Sequence, residues 1–135
     1  MSDIRIVLCD DHAVLRAGLK ALPGDVERAY ITSCDVPLLV PNFVRQMLDL
    51  AHDYDVAVME IDGFTHPLSA VYRRATLPFV DDLLAQDRLR PVFLFEAVKT
   101  RRVRPEEMTA DPELRTLRNL NTREDYERAL LEAGL

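Results

Sequence analysis

Residues 4–22 read IRIVLCDDHAVLRAGLKAL. The apolar, β-branched run at 4–9 is typical of a buried parallel strand, and two adjacent aspartates, Asp10 and Asp11, follow it directly. The leucine spacing beyond them predicts a helix, which Asp11 can cap. A strand that ends on acidic residues and leads straight into a helix indicates an α/β fold with polar groups at the strand tip.

The same pattern continues along the first half of the chain. AYITSCD, residues 29–35, predicts a second strand that ends on Asp35, and Pro41 suits the first turn of a second helix. DVAVMEI, residues 55–61, predicts a third strand. This strand and helix order implies a parallel sheet with right-handed crossovers. We therefore expect an α/β fold of three layers, α/β/α, with a mainly parallel sheet.

The second half of the chain is less regular. Its spacing predicts, in order, a strand, two helices, a short strand and a C-terminal helix, at residues 67–74, 77–86, 90–100, 101–108 and 122–134. Residues 90–100 are ambiguous, since PVFLF fits a buried strand and EAVK favours a helix; we favour the helix. No repeat or linker interrupts the sequence, so a single α/β domain over residues 1–135 is expected.

Composition excludes some classes of partner. The chain has 17 Lys and Arg against 23 Asp and Glu, a formal net charge of −6, which disfavours nucleic acid and anionic membranes as partners. No apolar run is long enough to cross a bilayer, and the N-terminus lacks the pattern of a signal peptide, so a cytoplasmic location is expected. The two cysteines, Cys9 and Cys34, do not have the spacing of a zinc site.

Acidic residues follow all three predicted strands of the first half. Asp10 and Asp11 follow the first strand, Asp35 ends the second, and Glu60 lies at the end of the third. Because the carboxyl ends of parallel strands meet at one edge of a sheet, these carboxylates predict a weak Mg²⁺ site there. The alternative is a structural role, with Asp11 as a helix cap and Asp35 as the start of a turn that includes Pro37.

Residues 4–19 resemble the first strand and helix of a response-regulator receiver domain. In that family two acidic residues hold Mg²⁺ beside an aspartate that accepts a phosphoryl group, and Asp10 and Asp11 match the pair. Glu60 stands where the accepting aspartate is expected, and its longer side chain makes it a poor acceptor. The Ser/Thr strand end and the Lys-Pro pair of the family are also missing. The resemblance implies a receiver-like unit over residues 1–22.

From Pro23 to its end, the chain resembles the C-terminal part of a molybdenum-cofactor guanylyltransferase. The matching stretches are AYITSCDVPLLVPNFV, DGFTHPLSAVYRR, RLRPVFLFEAVKTRRV and LRNLNTREDYERALLEAG. That family transfers GMP from GTP to molybdopterin, and Asp35 matches the Mg²⁺ ligand of its Cys-Asp-x-Pro motif. The resemblance implies the remnant of a Rossmann-like nucleotidyltransferase, with GTP or molybdopterin as weakly bound partners.

The same resemblance implies further site residues. His66, Asn119 and Asn121 match stretches that line the cleft of the guanylyltransferases, and these are the candidate cofactor-binding residues. For His66, a structural role in a turn is an equally good interpretation. We name no catalytic residue.

The family's glycine-rich loop, GxSxRMGxDK, is absent from this sequence. Its four glycines are far apart, at Gly18, Gly24, Gly63 and Gly134, and no two of them share a loop. Because that loop supplies the N–H groups that hold the triphosphate, we expect no efficient turnover. The chain is therefore interpreted as a chimera in which residues 23–135 are guanylyltransferase-like, and the alternative origin is one natural gene with a diverged start. The alternative functions are a residual GTP-binding nucleotidyltransferase and a receiver-like phosphosignalling module.

The position of the first strand in the sheet also bears on the oligomeric state. If residues 4–9 do not fully cover the edge of the sheet, unpaired backbone groups favour strand pairing between two chains. A homodimer is the resulting expectation.

Overall fold

The computed structural model describes residues 6–8, 12–32, 38–88, 90–117 and 123–132. The strands are β1 (Ile6–Leu8), β2 (Arg28–Thr32), β3 (Val56–Ile61), β4 (Phe64–Arg73) and β5 (Thr100–Val103). The helices are α1 (His12–Ala21), α2 (Pro41–Leu50), α3 (Leu77–Ala85), α4 (Pro91–Ala97) and α5 (Arg123–Glu132). Single turns of 3₁₀ helix lie at Arg74–Thr76, Pro105–Glu107 and Arg115–Leu117.

The described strands form one sheet in the order β1-β2-β4-β3-β5. β1 is parallel to β2, and β3 is parallel to β5, whereas β4 lies between β2 and β3 and is antiparallel to both. All strands except β4 therefore run in the same direction, which confirms the prediction of a mainly parallel sheet. Their last residues define a common edge, which we call the carboxyl edge.

The reversal of β4 follows from the turn that precedes it. β3 ends at Ile61 and β4 begins at Phe64, so only Asp62 and Gly63 connect them. Both have positive φ, 52° and 82°, as a type I′ hairpin turn requires. Strands joined by a two-residue turn are necessarily antiparallel.

The pairing of β3 with β4 is interrupted close to the carboxyl edge. Val58 pairs with Ala70, but the next residue of β3, Met59, pairs with His66. Pro67 lies in the part of β4 that is skipped and has no N–H to give to a ladder. The Tyr72 hydroxyl donates to the Pro67 carbonyl at 2.6 Å, which holds the irregular segment against the regular part of β4.

The core lies on both faces of the sheet, and this confirms the three-layer arrangement. On one face, buried side chains of the strands meet α1, α3 and α4: Leu15, Leu19, Ile31, Val56, Val58, Ala70, Tyr72, Val80, Leu83, Leu94 and Phe95. On the other face they meet α2: Tyr30, Phe43, Val44, Met47, Ala51, Ala57, Met59, Val71, Val103 and Met108. Each large apolar side chain buried in this way contributes about 1.5–3 kcal/mol relative to an exposed one.

Several predicted elements have the bounds that the sequence indicated, and others shift. The helix favoured within 90–100 is confirmed as α4, and β5 follows it. β5 ends at Val103, earlier than the predicted segment, because Pro105 begins a 3₁₀ turn and cannot donate to a ladder. The C-terminal helix is confirmed as α5, while Thr122 lies outside the described residues. Within the described part of the chain, no helix is both long and apolar enough to cross a bilayer.

Candidate functional site

The carboxyl edge carries the only two predicted site residues that the structure describes, Glu60 and His66. The other five lie outside the described residues and remain predictions: Asp10, Asp11, Asp35, Asn119 and Asn121. Their places in the chain are nevertheless informative. Asp35 comes three residues after the end of β2 at Thr32, and Asn119 comes two residues after Leu117. Thr32 and Leu117 are thus the described residues from which these two segments continue.

Glu60 is engaged by a cation of the neighbouring strand. Nη1 of Arg102 on β5 lies 3.1 Å from Oε2 of Glu60, and the two side chains are 40% and 27% exposed. A metal ion at this carboxylate would compete with the guanidinium. Among the described residues, no group of three or more His, Cys, Asp and Glu could hold a metal ion. The predicted Mg²⁺ site thus depends on the aspartates outside the described ranges.

Glu60 and His66 do not converge. His66 pairs with Met59, so both lie on the face of the sheet that α2 covers. Glu60 is the next residue along β3, and successive side chains of a strand point to opposite faces. His66 is half-buried beside the irregular segment of β4. The structure therefore places these two predicted site residues on opposite faces of the same edge.

A groove of about 280 Å³ opens at the carboxyl edge, between the β3–β4 turn and the turn after β5. It is lined by Glu60, Asp62, Gly63, Arg104, Pro105 and Glu106. The Arg104 side chain is exposed and brings a positive charge to an otherwise acidic lining. Sequence reasoning did not single out Arg104 or Arg102, because arginines next to a short strand are a common surface feature.

The turn after β5 is held by a single glutamate. The Arg104 N–H donates to Oε2 of Glu107 at 2.8 Å, and the Glu107 N–H donates back to the Arg104 carbonyl at 3.0 Å. Oε1 of Glu107 is paired with the Arg101 guanidinium. These contacts fix the backbone of Arg104 and so fix one wall of the groove.

Polar side chains are buried beneath the carboxyl edge on the α2 face. We call this set the polar cluster; it consists of Tyr30, Thr32, Ser69, Asp111 and Thr116. The Tyr30 and Ser69 hydroxyl oxygens lie 2.9 Å apart, in a hydrogen bond between β2 and β4. Burial raises the pKa of Tyr30 to about 12. The hydrogen bonds with Ser69 and Thr32 lower this pKa by smaller amounts, and the negative charge of Asp111 adds to the increase. The phenol is therefore neutral and acts as a hydrogen-bonding group.

Asp111 holds the deepest charged position of the polar cluster, with 3% of its surface exposed. Its Oδ2 accepts bonds from the Thr116 N–H at 2.9 Å and from the Thr116 hydroxyl at 2.7 Å, and its Oδ1 accepts one from the Arg115 N–H at 3.0 Å. The Val40 N–H donates to the Thr116 hydroxyl oxygen at 3.0 Å. An aspartate before Pro112 is an ordinary turn signal, so the sequence offered no reason to predict that Asp111 is buried.

These features define a class of protein. A three-layer α/β fold whose polar loops leave the carboxyl edge of a mainly parallel sheet is the arrangement in which α/β proteins bind ligands. Residues 7–103 match the family model of the MobA-like NTP transferase domain. The chain belongs to this family.

Curated relatives agree with this assignment. A "Probable molybdenum cofactor guanylyltransferase" of Carboxydothermus hydrogenoformans is 32% identical over 105 residues, which are 77% of this chain and 53% of the relative. A "Molybdenum cofactor guanylyltransferase" of Desulfosudis oleivorans is 31% identical over 117 residues, which are 85% of this chain and 57% of the relative. The chain thus spans about half the length of the curated relatives that it matches.

Solved structures support the fold. The molybdopterin-guanine dinucleotide biosynthesis protein A of Archaeoglobus fulgidus aligns with a TM-score of 0.75 at 19% identity, covering 91% of this chain and 62% of that one. A 4-diphosphocytidyl-2C-methyl-D-erythritol synthase of Anaerococcus prevotii aligns with a TM-score of 0.68 at 13% identity, covering 94% and 68%. At these identities the likeness concerns the fold alone.

The comparisons support the guanylyltransferase resemblance and give no support to the receiver resemblance. They confirm the guanylyltransferase resemblance at the level of the family. The family match begins at residue 7 and therefore includes most of the segment that resembles a receiver domain. They give that second resemblance and the chimera no support, and both remain predictions.

Proposed function

We propose that this chain is a nucleotidyltransferase domain of the molybdenum-cofactor guanylyltransferase type that binds Mg²⁺ and GTP weakly at its carboxyl edge and transfers GMP poorly. Membership of the MobA-like NTP transferase family is the observation that carries the proposal. β2, which is fully buried from Ala29 to Thr32, leads directly into the Cys-Asp-x-Pro motif of residues 34–37. A rigid strand end is a suitable support for a metal-binding aspartate.

Asp35 is the proposed principal Mg²⁺ ligand, with Asp10 and Asp11 as further ligands. Magnesium binds one or two protein carboxylates and completes its octahedral shell with water and phosphate oxygens. Carboxylates placed close together raise one another's free energy, so a divalent cation bound between them would stabilise the fold. The Glu60 carboxylate is the least available of the predicted ligands, because Arg102 already holds it.

Poor turnover is expected from what the sequence lacks. Removal of one N–H donor from a site that stabilises developing negative charge lowers the rate by about 10²–10³-fold. The absent GxSxRMGxDK loop would supply several such donors, and the aspartates after β1 add negative charge instead. The groove beside Arg104 is the candidate location for the second, acceptor substrate, since it offers an exposed cation at the same edge.

Thermal unfolding with and without MgGTP tests the binding part of the proposal. A ligand at 100 times its Kd stabilises the folded state by about 2.7 kcal/mol, which raises the Tm measurably. Asp35→Asn is expected to abolish the shift, whereas Asp25→Asn, an exposed carboxylate near the opposite edge, is expected to keep it. No Tm shift at millimolar MgGTP would refute the proposed binding site.

A transfer assay tests the second part. Labelled GTP is incubated with Mg²⁺, molybdopterin and the purified chain, and the guanylylated product is separated and counted. We expect product at background level. Clear turnover that is lost in Asp35→Asn would instead establish a working guanylyltransferase and would contradict the expectation of poor transfer.

The receiver-like interpretation of residues 1–22 requires a different observation. The Asp10–Asp11 pair after β1 favours it, and a receiver would react with acetyl phosphate at a carboxylate. Mass spectrometry after that treatment would then show an added phosphoryl group. We expect none, because Glu60 is held by Arg102 and its side chain is longer than that of the aspartate that accepts the phosphoryl group in receivers.

A further inference from the structure

We infer that Asp111 is a positioning residue that acts through the Thr116 hydroxyl and holds together the two chain segments from which the predicted ligand-binding residues depart. One segment is residues 38–40, which follow the Cys-Asp-x-Pro motif; the other is residues 115–117, which precede Asn119 and Asn121. The link to ligand binding rests on the proposed function. The mechanical link between the segments stands on the described contacts alone.

The Thr116 hydroxyl is the central atom group of this link. It lies 2.7 Å from Oδ2 of Asp111 and 3.0 Å from the backbone nitrogen of Val40. The Val40 N–H can only donate and an ionised carboxylate can only accept, so both hydrogen bonds have a fixed direction. The hydroxyl accepts from Val40 and donates to Asp111. Only a side chain that does both at once can occupy this position without loss.

The residues of this link are buried, unlike those of an ordinary surface turn. Asp111 is 3% exposed and Thr116 is 1% exposed. A carboxylate taken out of water is costly unless its oxygens are satisfied, and here three donors from Arg115 and Thr116 satisfy them. The same turn could form at the surface without that cost, so the buried position indicates that a fixed geometry is required there.

A second set of hydrogen bonds joins the residues before Asp111 to α2, the helix that follows Val40. On α2, the Gln46 amide donates to the Glu107 carbonyl at 2.8 Å and accepts from the Ala110 N–H at 3.1 Å. Residues 107–117 are thus hydrogen-bonded at two places, to Val40 just before α2 and to Gln46 in its middle. The described residues 38–40 and 115–117 are therefore joined to each other and to α2.

A pair of variants at Thr116 tests the inference. Thr116→Val removes the hydroxyl with nearly the same shape, and Thr116→Ser keeps the hydroxyl. Thr76→Val is the matched control, because Thr76 is equally buried and donates to the Arg73 carbonyl at 2.7 Å near the opposite edge of the sheet. Asp111→Asn is a supporting variant, since its NH₂ group would face donors.

Amide hydrogen exchange is the primary measurement, because it needs no ligand. Loss of one buried hydrogen bond corresponds to about a tenfold change in a local opening equilibrium. Thr116→Val should therefore speed exchange at Val40 and at the amides of residues 115–117 by about tenfold, while Thr116→Ser restores protection. Thr76→Val should leave those amides unchanged although it lowers the Tm. Unchanged exchange at Val40 in Thr116→Val would overturn the inference.

Titration with MgGTP connects the link to the site. The Kd should rise by about tenfold in Thr116→Val and remain within about twofold in Thr116→Ser and Thr76→Val. If the wild-type chain binds no nucleotide, the proposed function fails and the exchange data alone decide the mechanical link. If exchange changes but the Kd does not, Asp111 is a purely structural residue and its positioning role is refuted.

Discussion

Arg102 and Glu60 join the two strands that end the sheet on its β5 side, with 3.1 Å between Nη1 and Oε2. The pair lies at the carboxyl edge, where the acidic pattern of the sequence predicts a metal ligand. An ion pair that is partly open to solvent contributes about 0–1 kcal/mol, so Glu60 has a modest structural role that does not require a metal.

This pairing predicts the behaviour of Glu60→Gln. We expect a decrease of up to about 1 kcal/mol in the free energy of unfolding, since the ion pair is lost, and a Mg²⁺ affinity within about twofold of wild type. Denaturant unfolding and isothermal titration measure the two quantities. Arg102→Gln should give the same loss of stability. A large loss of Mg²⁺ affinity in Glu60→Gln alone would restore Glu60 as the metal ligand that the sequence predicts.

The raised pKa of Tyr30 predicts a loss of stability in alkaline solution. Burial raises it from its usual 10.0 to about 12, so the folded protein keeps a proton that the unfolded chain releases. The stabilisation is fully present below pH 10 and falls as the pH rises towards 12, by about 1 kcal/mol between pH 9 and pH 11. Tyr30→Phe should be less stable at neutral pH but should lose this part of the pH dependence.

Denaturant unfolding of both proteins across that range provides the test, with the difference between their curves as the readout. The other titrating groups are common to both chains and cancel in that difference. Identical pH dependence in wild type and Tyr30→Phe would show that the proton of Tyr30 does not contribute.

Alanine substitutions at Gly63, in the turn between β3 and β4, and at Gly24, outside it, are predicted to have opposite effects on stability. Gly63 has φ +82°, which L-residues with a Cβ adopt at a cost of about 1–2 kcal/mol, so Gly63→Ala should destabilise the protein by that amount. Gly24 has no positive φ and open space around it, so Gly24→Ala should be neutral or stabilising by up to about 1 kcal/mol. Equal effects of the two substitutions on unfolding would contradict the assigned hairpin turn.

The edge position of β1 predicts self-association. β1 is three residues long and is an edge strand of the sheet that the described strands form. Edge strands favour pairing with a strand of a second chain. We expect light scattering to show a mass that rises with protein concentration towards that of a homodimer. A constant monomer mass at millimolar concentration would refute this expectation.

The local elements and their order were predictable from the sequence alone. Pro41 and the apolar residues Phe43, Val44 and Met47 predicted α2 and its buried side, because a helix repeats every 3.6 residues. The strand–helix alternation and the acidic strand ends predicted three layers and a ligand-binding edge. The Asp62–Gly63 turn was also a local signal of a hairpin, and it was not used in predicting the sheet.

Only the tertiary structure decided which side chains meet. The position of β4 between β2 and β3, the pairing of Arg102 with Glu60, and the links from Tyr30 to Ser69 and from Val40 to Thr116 join residues that are dozens of positions apart. Periodicity reports which face of an element is buried, because that depends on neighbours along the chain. It cannot report which partner covers that face, because packing and strand order are settled by the free energy of the whole fold.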